Sequence, residues 1–302
     1  MTFPIPDYLR ELEAESIYIL REVAAQFEKP VLLYSAGKDS SVVVRLAMKA
    51  FAPATPPFPL LHIDTGYDYP EMYTFRDTIT AQTGMKLLVY RNEEAISKNA
   101  NPFDLGTQKC CGLLRTKALL DGLSLYDADA AIGGARRDEE RARAKERVFS
   151  FRDKFGQWDP RNQRPEMWNL FNGKVNKGES MRVFPLSNWT EFDIWLYILC
   201  EQIPIVPLYF AKPRPALRRK GMIETFIEGV TRLAPGEKVE DIVCRFRSLG
   251  CTPCTGAIES TSTTLEAIVE EMFGFKLSER AGRVIDYDTD GSMEIKKREG
   301  YF

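Results

Sequence analysis

A chain of 302 residues with 44% hydrophobic and 28% charged side chains can bury one large core, or a domain plus an appendage. Its formal net charge of -2 excludes a globally basic nucleic-acid binder, and a single histidine, His62, all but excludes multi-histidine metal sites and Ser-His-Asp chemistry. No apolar run reaches the roughly 18 residues of a membrane span, and "MTFPIPDYLRELEAES" lacks a signal-peptide pattern, so a cytoplasmic location is expected.

Asp7 to Phe27 has apolar residues at helical spacing (Leu9, Leu12, Ile19, Leu20, Val23, Phe27) with charges between them, which predicts an amphipathic helix. The run "VLLYS" then precedes a helix from about Ser40 to Ala50, and "PLLHIDT" precedes one from about Glu71 to Thr83. "KLLVYR" is followed by a loop and a helix around Leu113 to Leu123, and "DAAIGG" comes next. This alternation predicts an α/β fold, an open and mostly parallel sheet with helices on both faces. Ligands on such sheets bind beyond the carboxyl ends of the strands, here Ser35, Asp64 to Gly66, and Gly133 to Arg137.

Phe149 to Glu179 is rich in Asn, Asp, Gly, Pro and Arg and reads as a long ordered loop or lid. "RVFPLSNWTEFDIWLYILC" predicts a short strand ending at Pro185, then a helix capped by Thr190 with Asp193 three residues on. After Pro204 the chain reads as mixed and irregular. The expected division is a nucleotide domain over residues 1–190, including the N-terminal helix, and a helical or irregular subdomain over 191–302 packed on the active site.

The join after "VLLY" carries the clearest chemistry. Ser35-Ala36-Gly37-Lys38-Asp39-Ser40-Ser41 places a small-residue turn at a helix N-terminus, where unpaired N–H groups and the positive dipole end attract anions. Gly37 permits an unusual backbone angle, and the hydroxyls and Lys38 can contact phosphate. A Walker loop needs glycine six residues before the lysine; Leu32 stands there instead. The stretch resembles the Ser-Gly-Gly-x-Asp-Ser loop of the PP-loop ATP pyrophosphatases, with Ala36 in place of one glycine. That resemblance implies an adenine nucleotide α-hydrolase-like fold, β- and γ-phosphates held as leaving pyrophosphate, and attack at the α-phosphorus.

"LLHIDTGYDYPEMYTFRD", "GGARRDEERARAKERVFSFRD", "WDPRNQRPE", "FPLSNWTEFDIW", "RFRSLGC" and "GRVIDYDTDGSMEIKKREGYF" resemble the small, ATP-binding subunit of bacterial sulfate adenylyltransferase over nearly the whole chain. The resemblance implies an adenylylating enzyme of sulfur metabolism. It places Ser35, Gly37, Lys38, Asp39, Ser40 and Ser41 in the pyrophosphate loop, and His62, Asp64 and Gly66 in the adenosine pocket. It places Gly133, Gly134, Arg136, Arg137 and Asp138 near the phosphates, with Lys38, Asp39, Arg136 and Arg137 as the catalytic set. Guanidinium forks suit phosphate, and Asp39 or Asp138 would help hold Mg²⁺. From Arg141 onward the run "RARAKER" also reads as a solvated helix with i,i+4 ion pairs.

Six cysteines remain. Cys200 falls on an apolar helix stripe, and Cys244 reads as core or as a redox-active thiol. Cys110-Cys111 and Cys251-x-x-Cys254 depart from the sulfate adenylyltransferase pattern. They resemble the [4Fe–4S] ligands of adenylylsulfate reductases and the Gly-Cys-x-x-Cys-Thr motif of DNA-phosphorothioation ATP pyrophosphatases. Four thiolates complete one cubane, with Lys109 and Arg115 offsetting its charge; a four-thiolate zinc or four buried free thiols are the competing readings. A reductase needs a catalytic cysteine near the C-terminus, and none follows Cys254.

The leading expectation is therefore an ATP pyrophosphatase that activates a DNA phosphate for sulfur incorporation. It would use ATP, Mg²⁺ and a [4Fe–4S] cluster, with a cysteine desulfurase and DNA-modification proteins as partners and only indirect DNA contact. The alternatives are a true sulfate adenylyltransferase small subunit working with a GTPase large subunit, and a non-catalytic cluster-bearing scaffold. No membrane partner is expected, and a homo-oligomer is allowed.

Overall fold

Short apolar runs, each leading into a helix, build the main sheet. The computed structural model describes residues 3–139, 141–219, 221–274 and 299–300; most of the tail motif from Gly282 onward lies outside them. Helix α1 (Asp7–Gln26) leads to strand β1 (Pro30–Leu33), helix α2 (Lys38–Phe51), strand β2 (Leu60–Ile63), helix α3 (Pro70–Thr83) and strand β3 (Leu87–Tyr90). Helices α4 (Glu93–Ser97) and α5 (Pro102–Cys111) follow. A π-helical turn over Gly112–Lys117 then runs into α6 (Ala118–Leu125) and strand β4 (Ala130–Ile132). After helix α7 (Arg141–Ala144) come strands β5 (Phe149–Arg152) and β6 (Ser180–Val183), and helix α8 (Glu191–Glu201).

The sheet order is β3-β2-β1-β4-β6-β5, parallel throughout except for β5, which pairs antiparallel with β6. Alternate residues of the central strands serve opposite faces, which is why these strands are apolar in nearly every position. Val31, Leu61 and Ala131 pack with Leu119 and Leu123 of α6, whereas Leu32, Leu60 and Ile132 join the larger core with α1, α2 and α8. Thr190 and Asp193 form the expected reciprocal cap of α8.

Two readings of the later chain need correction. The segment expected to be a loop from Phe149 begins as edge strand β5. Gln163 accepts from Phe151 N–H and donates to its carbonyl, and the Glu166 carboxylate accepts from the N–H groups of Val148 and Phe149. Side chains thus occupy an edge that would otherwise invite pairing with another strand.

After Pro204 the chain is not irregular. Strands β7 (Lys212–Arg219), β8 (Met222–Thr225), β9 (Glu240–Arg245) and β10 (Ile258–Glu259) form a second, antiparallel sheet, followed by helix α9 (Leu265–Met272). Pro213 and Pro215 lie in the part of β7 that pairs with β9 alone, before β8 joins at Ala216. The Pro215 carbonyl accepts the Phe226 N–H on the side away from β9, so its missing N–H costs the β7–β9 ladder nothing. Among the described residues no helix is long and apolar enough to cross a membrane.

Candidate active site

The carboxyl ends of β1, β2 and β4 open onto a cleft. Ser35, Gly37, Asp39 and Ser40 line one wall, at the N-terminus of the 14-residue helix α2. The unusual backbone angle falls on Ala36 (φ +56), not on Gly37, whose φ of -78 is ordinary. Ala36 thus stands in the left-handed conformation that glycine adopts without a steric penalty, at the position where the resembling loops carry glycine. Gly37 answers a different need: a Cβ there would meet Ser35 Oγ at 3.3 Å and the Tyr209 hydroxyl at 3.5 Å.

Gly133 and Gly134 extend β4 into the same cleft. A Cβ on Gly134 would stand 2.9 Å from Asp39 Cβ and 3.1 Å from the Asp39 carbonyl carbon, so glycine lets the β4 end close on the phosphate-loop backbone. Gly134→Ala is expected to lower the unfolding free energy by roughly 1–3 kcal/mol, the usual cost of overpacking, and to weaken ATP binding. Urea unfolding and ATP titration measure the two; a variant like the parent in both would show that the close approach is dispensable.

Two buried cations converge on Asp39. Lys38 Nζ lies 3.1 Å from Asp39 Oδ2, and Arg136 Nη1 pairs with Oδ1. Lys38 and Arg136 are each about 1% exposed, whereas the Asp39 side chain is 22% exposed and faces the cleft. Arg143 and Glu139, paired at 2.9 Å one turn apart, also line it. Glu139 stands before the run read as a solvated helix, and Arg143 within that run is buried against the cleft and not solvated.

Lys38 and Arg136 do not themselves line the cleft and act on it through Asp39, and several other residues assigned to the pocket stand elsewhere. The Arg137 guanidinium donates to Asn188, and Asp138 accepts the Glu191 N–H at the start of α8. Ser41 is buried in α2 behind the loop. Asp64 accepts from Gly66 N–H and the Tyr73 hydroxyl and pairs with Arg91, so neither Asp64 nor Gly66 forms the cleft wall. Gly66, at φ +76, makes the turn that aims this segment.

His62 does line the cleft, and it brings a residue that sequence reasoning passed over, Asp68. The His62 Nδ1–H donates to the Tyr34 carbonyl at 2.9 Å, and Nε2 lies 3.6 Å from Asp68 Oδ2. Burial pushes the histidine down against the pull of the Asp68 charge, and pushes the aspartic acid up against the charges of Arg115 and His62. Tyr209 was also missed. Its hydroxyl accepts the Lys38 N–H at 2.8 Å, while its ring packs edge-on against Trp195 of α8. No local pattern marks either residue; both are brought in from segments distant from the loop.

The cysteine pairs meet. Cys110, Cys111, Cys251 and Cys254 line one cavity beside the cleft, and Arg115 and Gly250 line both. Cys110 and Cys111 end α5, at the entry to the π-helical turn, a distortion frequent at functional sites. Arg115 Nη2 donates to Cys251 Sγ at 3.2 Å and lies 3.6 Å from Asp68 Oδ1, so it links the thiols to the floor of the cleft. Burial and the neighbouring thiols push Cys110 and Cys254 up to about 12. Among the described residues no three His, Cys, Asp or Glu side chains are placed to hold a single metal ion. Lys109 is exposed, and Cys200 and Cys244 are buried in other parts of the fold.

The phosphoadenosine phosphosulfate reductase domain family matches residues 29–257 of this chain. Sulfate adenylyltransferase subunit 2 of Myxococcus xanthus is 59% identical over 301 residues, covering 100% of this chain and 99% of that protein. Sulfate adenylyltransferase subunit 2 of Erwinia tasmaniensis is 58% identical over 295 residues, covering 98% of each. The corresponding protein of Marinobacter nauticus, named sulfate adenylyltransferase subunit 2 1, is 58% identical over 302 residues, covering 100% of this chain and 99% of its own.

Proposed function

This chain belongs to the phosphoadenosine phosphosulfate reductase domain family, among the sulfate adenylyltransferase subunit 2 proteins, and from that premise we propose that it adenylylates sulfate. It is an ATP-using adenylyltransferase. In the proposed reaction a sulfate oxygen attacks the α-phosphorus of ATP, the α–β bond breaks, and adenylylsulfate and pyrophosphate form. The observation that carries this reading is the convergence of Lys38 and Arg136 on Asp39 at the N-terminus of α2, with nearly full-length likeness to the subunit 2 relatives.

The residue roles follow from charge. Ser35, Ser40 and the α2 N-terminus would hold the β- and γ-phosphates. Lys38 and Arg136 would neutralise the charge that grows on the leaving pyrophosphate, and Arg143 would add a third cation. Asp39, the carboxylate that faces the cleft, would share Mg²⁺ with phosphate oxygens, as that ion commonly uses one or two carboxylates. The division at residue 190 belongs to the same proposal: the second part supplies Tyr209 and Ser248 to the cleft of the first.

The subunit number in the relatives' name supports a larger partner, proposed here to be a GTPase. That name also favours sulfate over a DNA phosphate as acceptor, which reverses the order of the two expectations drawn from the sequence. The cysteines are what remains of the phosphorothioation reading. Four soft thiols arranged around a cavity, rather than converging on one point, suit a [4Fe–4S] cluster better than a single zinc ion. Cys110, Cys111, Cys251 and Cys254 would hold it, and Arg115 would offset its charge; the cluster would supply electron-transfer capacity or a rigid cross-link.

The acceptor is tested by supplying the chain and its GTPase partner with ATP labelled at the α-phosphorus, and either sulfate or duplex DNA. Label is expected in adenylylsulfate, with pyrophosphate release that depends on sulfate. Label transferred to DNA, with sulfate inert, would restore phosphorothioation as the function.

A further inference from the structure

Phosphates seated at α2 leave the nucleoside to cross toward the end of β2: β1 lies between β2 and β4, and the β4 end already closes on the phosphate loop at Gly134. That half of the cleft has two characters. Ile63, Met72 and Leu119 offer apolar surface for the faces of a base, while His62 and Asp68 form a polar floor. A buried polar floor beneath a nucleoside needs something to recognise.

The state of its atoms says what. The Asp68 side chain is 4% exposed, and its Oδ1 receives no hydrogen bond among the described residues; Arg115 is an ion-pair neighbour at 3.6 Å. His62 Nε2 likewise has no hydrogen-bond partner. Because the His62 Nδ1–H is donated to the Tyr34 carbonyl, Nε2 carries the lone pair in the neutral ring. A proton shared between Nε2 and Asp68 Oδ2 would leave Oδ1 as an acceptor. Buried acceptors without donors are costly, so this one is set for a donor that arrives with the ligand. The other carboxylate after β2, Asp64, is already engaged by Gly66, Tyr73 and Arg91.

We infer that Asp68 is a specificity-determining residue whose Oδ1 accepts a hydrogen bond from a ribose hydroxyl of the bound nucleotide. Sheets with the strand order 3-2-1-4 solve the same problem in dinucleotide enzymes, where a carboxylate about twenty residues beyond the phosphate loop takes a ribose hydroxyl. The apolar walls take the faces of the base, and of the donors the nucleoside brings, the ribose hydroxyls lie closer to the phosphates seated at α2 than the adenine amino group does. The inference rests on the reading that the cleft takes ATP, but not on the identity of the acceptor.

Calorimetric titration of the full chain with Mg²⁺ and ATP, 2′-deoxyATP, 3′-deoxyATP and inorganic tripolyphosphate tests it. The parent is expected to bind at least one deoxy analogue about tenfold or more weakly than ATP, because the missing hydroxyl leaves a buried acceptor unpaired. Asp68→Ala should compress that ratio to below about threefold while tripolyphosphate binding stays within about twofold of the parent; Asp68→Asn, which keeps an acceptor, should retain part of the discrimination. If Asp68→Ala fails to bind tripolyphosphate, its fold is lost and Asp68→Asn decides: a ratio unchanged in that variant, like equal binding of all three nucleotides by the parent, overturns the inference. Failure of the parent to bind ATP or tripolyphosphate would instead remove the reading of the cleft itself.

Discussion

Replacing Lys38 by alanine is expected to lower ATP turnover roughly 10²–10³-fold, and Arg136→Ala by a similar factor, as for other preorganised groups that stabilise transition-state charge. Both side chains are almost fully buried and both point at Asp39, so neither reorganises much when phosphate arrives. Burial strengthens their field, because water that would screen it is excluded. Removing either cation also leaves Asp39 with one partner instead of two, which should disturb the site for Mg²⁺. The two losses should not add, since the residues share that carboxylate. Turnover of each variant with the partner subunit present, alongside its unfolding midpoint, separates chemistry from folding. A folded Lys38→Ala protein within about tenfold of the parent would remove Lys38 from the phosphate site.

Changing any one of Cys110, Cys111, Cys251 or Cys254 to serine is expected to abolish most iron incorporation, whereas Cys200→Ser should leave it unchanged. The four thiols line a single cavity although the chain separates the two pairs by roughly 140 residues, so occupancy would close a long loop and tie α5 to the segment after β9. Anaerobically purified chain should carry roughly four irons. Loading has a defined pH dependence. Burial and mutual repulsion push the Cys110 and Cys254 thiols up to about 12, so they are protonated at neutral pH and must release protons to bind metal. Iron uptake should therefore fall as pH is lowered from about 8 to 6. Stoichiometric zinc without iron, or four variants that all retain iron, would contradict the assignment.

The parallel half of the fold was legible because its central strands β1, β2 and β4 are buried on both faces; Val31, Leu61 and Ala131 facing one way and Leu32, Leu60 and Ile132 the other leave little room for polar residues. The antiparallel sheet was not legible. Strand β7 reads "KPRPALRR", and its prolines and charges argue against a strand until pairing with β8 is known to start only at Ala216. Strand β5 was hidden for a related reason, since its outer edge is completed by Gln163 and Glu166 and not by another strand. The site divides in the same way. The phosphate loop is local and could be read as one string, although the left-handed residue is Ala36, one position before the glycine that drew attention. Asp68 and Tyr209 could not be read locally, because Asp68 acquires its partners only when β2 meets the π-helical turn, and Tyr209 only when α2 meets α8.

The most direct measurement follows the two halves of ATP through one reaction. With sulfate, Mg²⁺ and the partner subunit, label at the α-phosphorus is expected in adenylylsulfate or AMP, and label at the β- and γ-phosphorus in pyrophosphate, in equal amounts. ADP and orthophosphate as the main products would place the broken bond between β and γ, and would contradict the assignment of Lys38, Asp39 and Arg136 to a pyrophosphate leaving group.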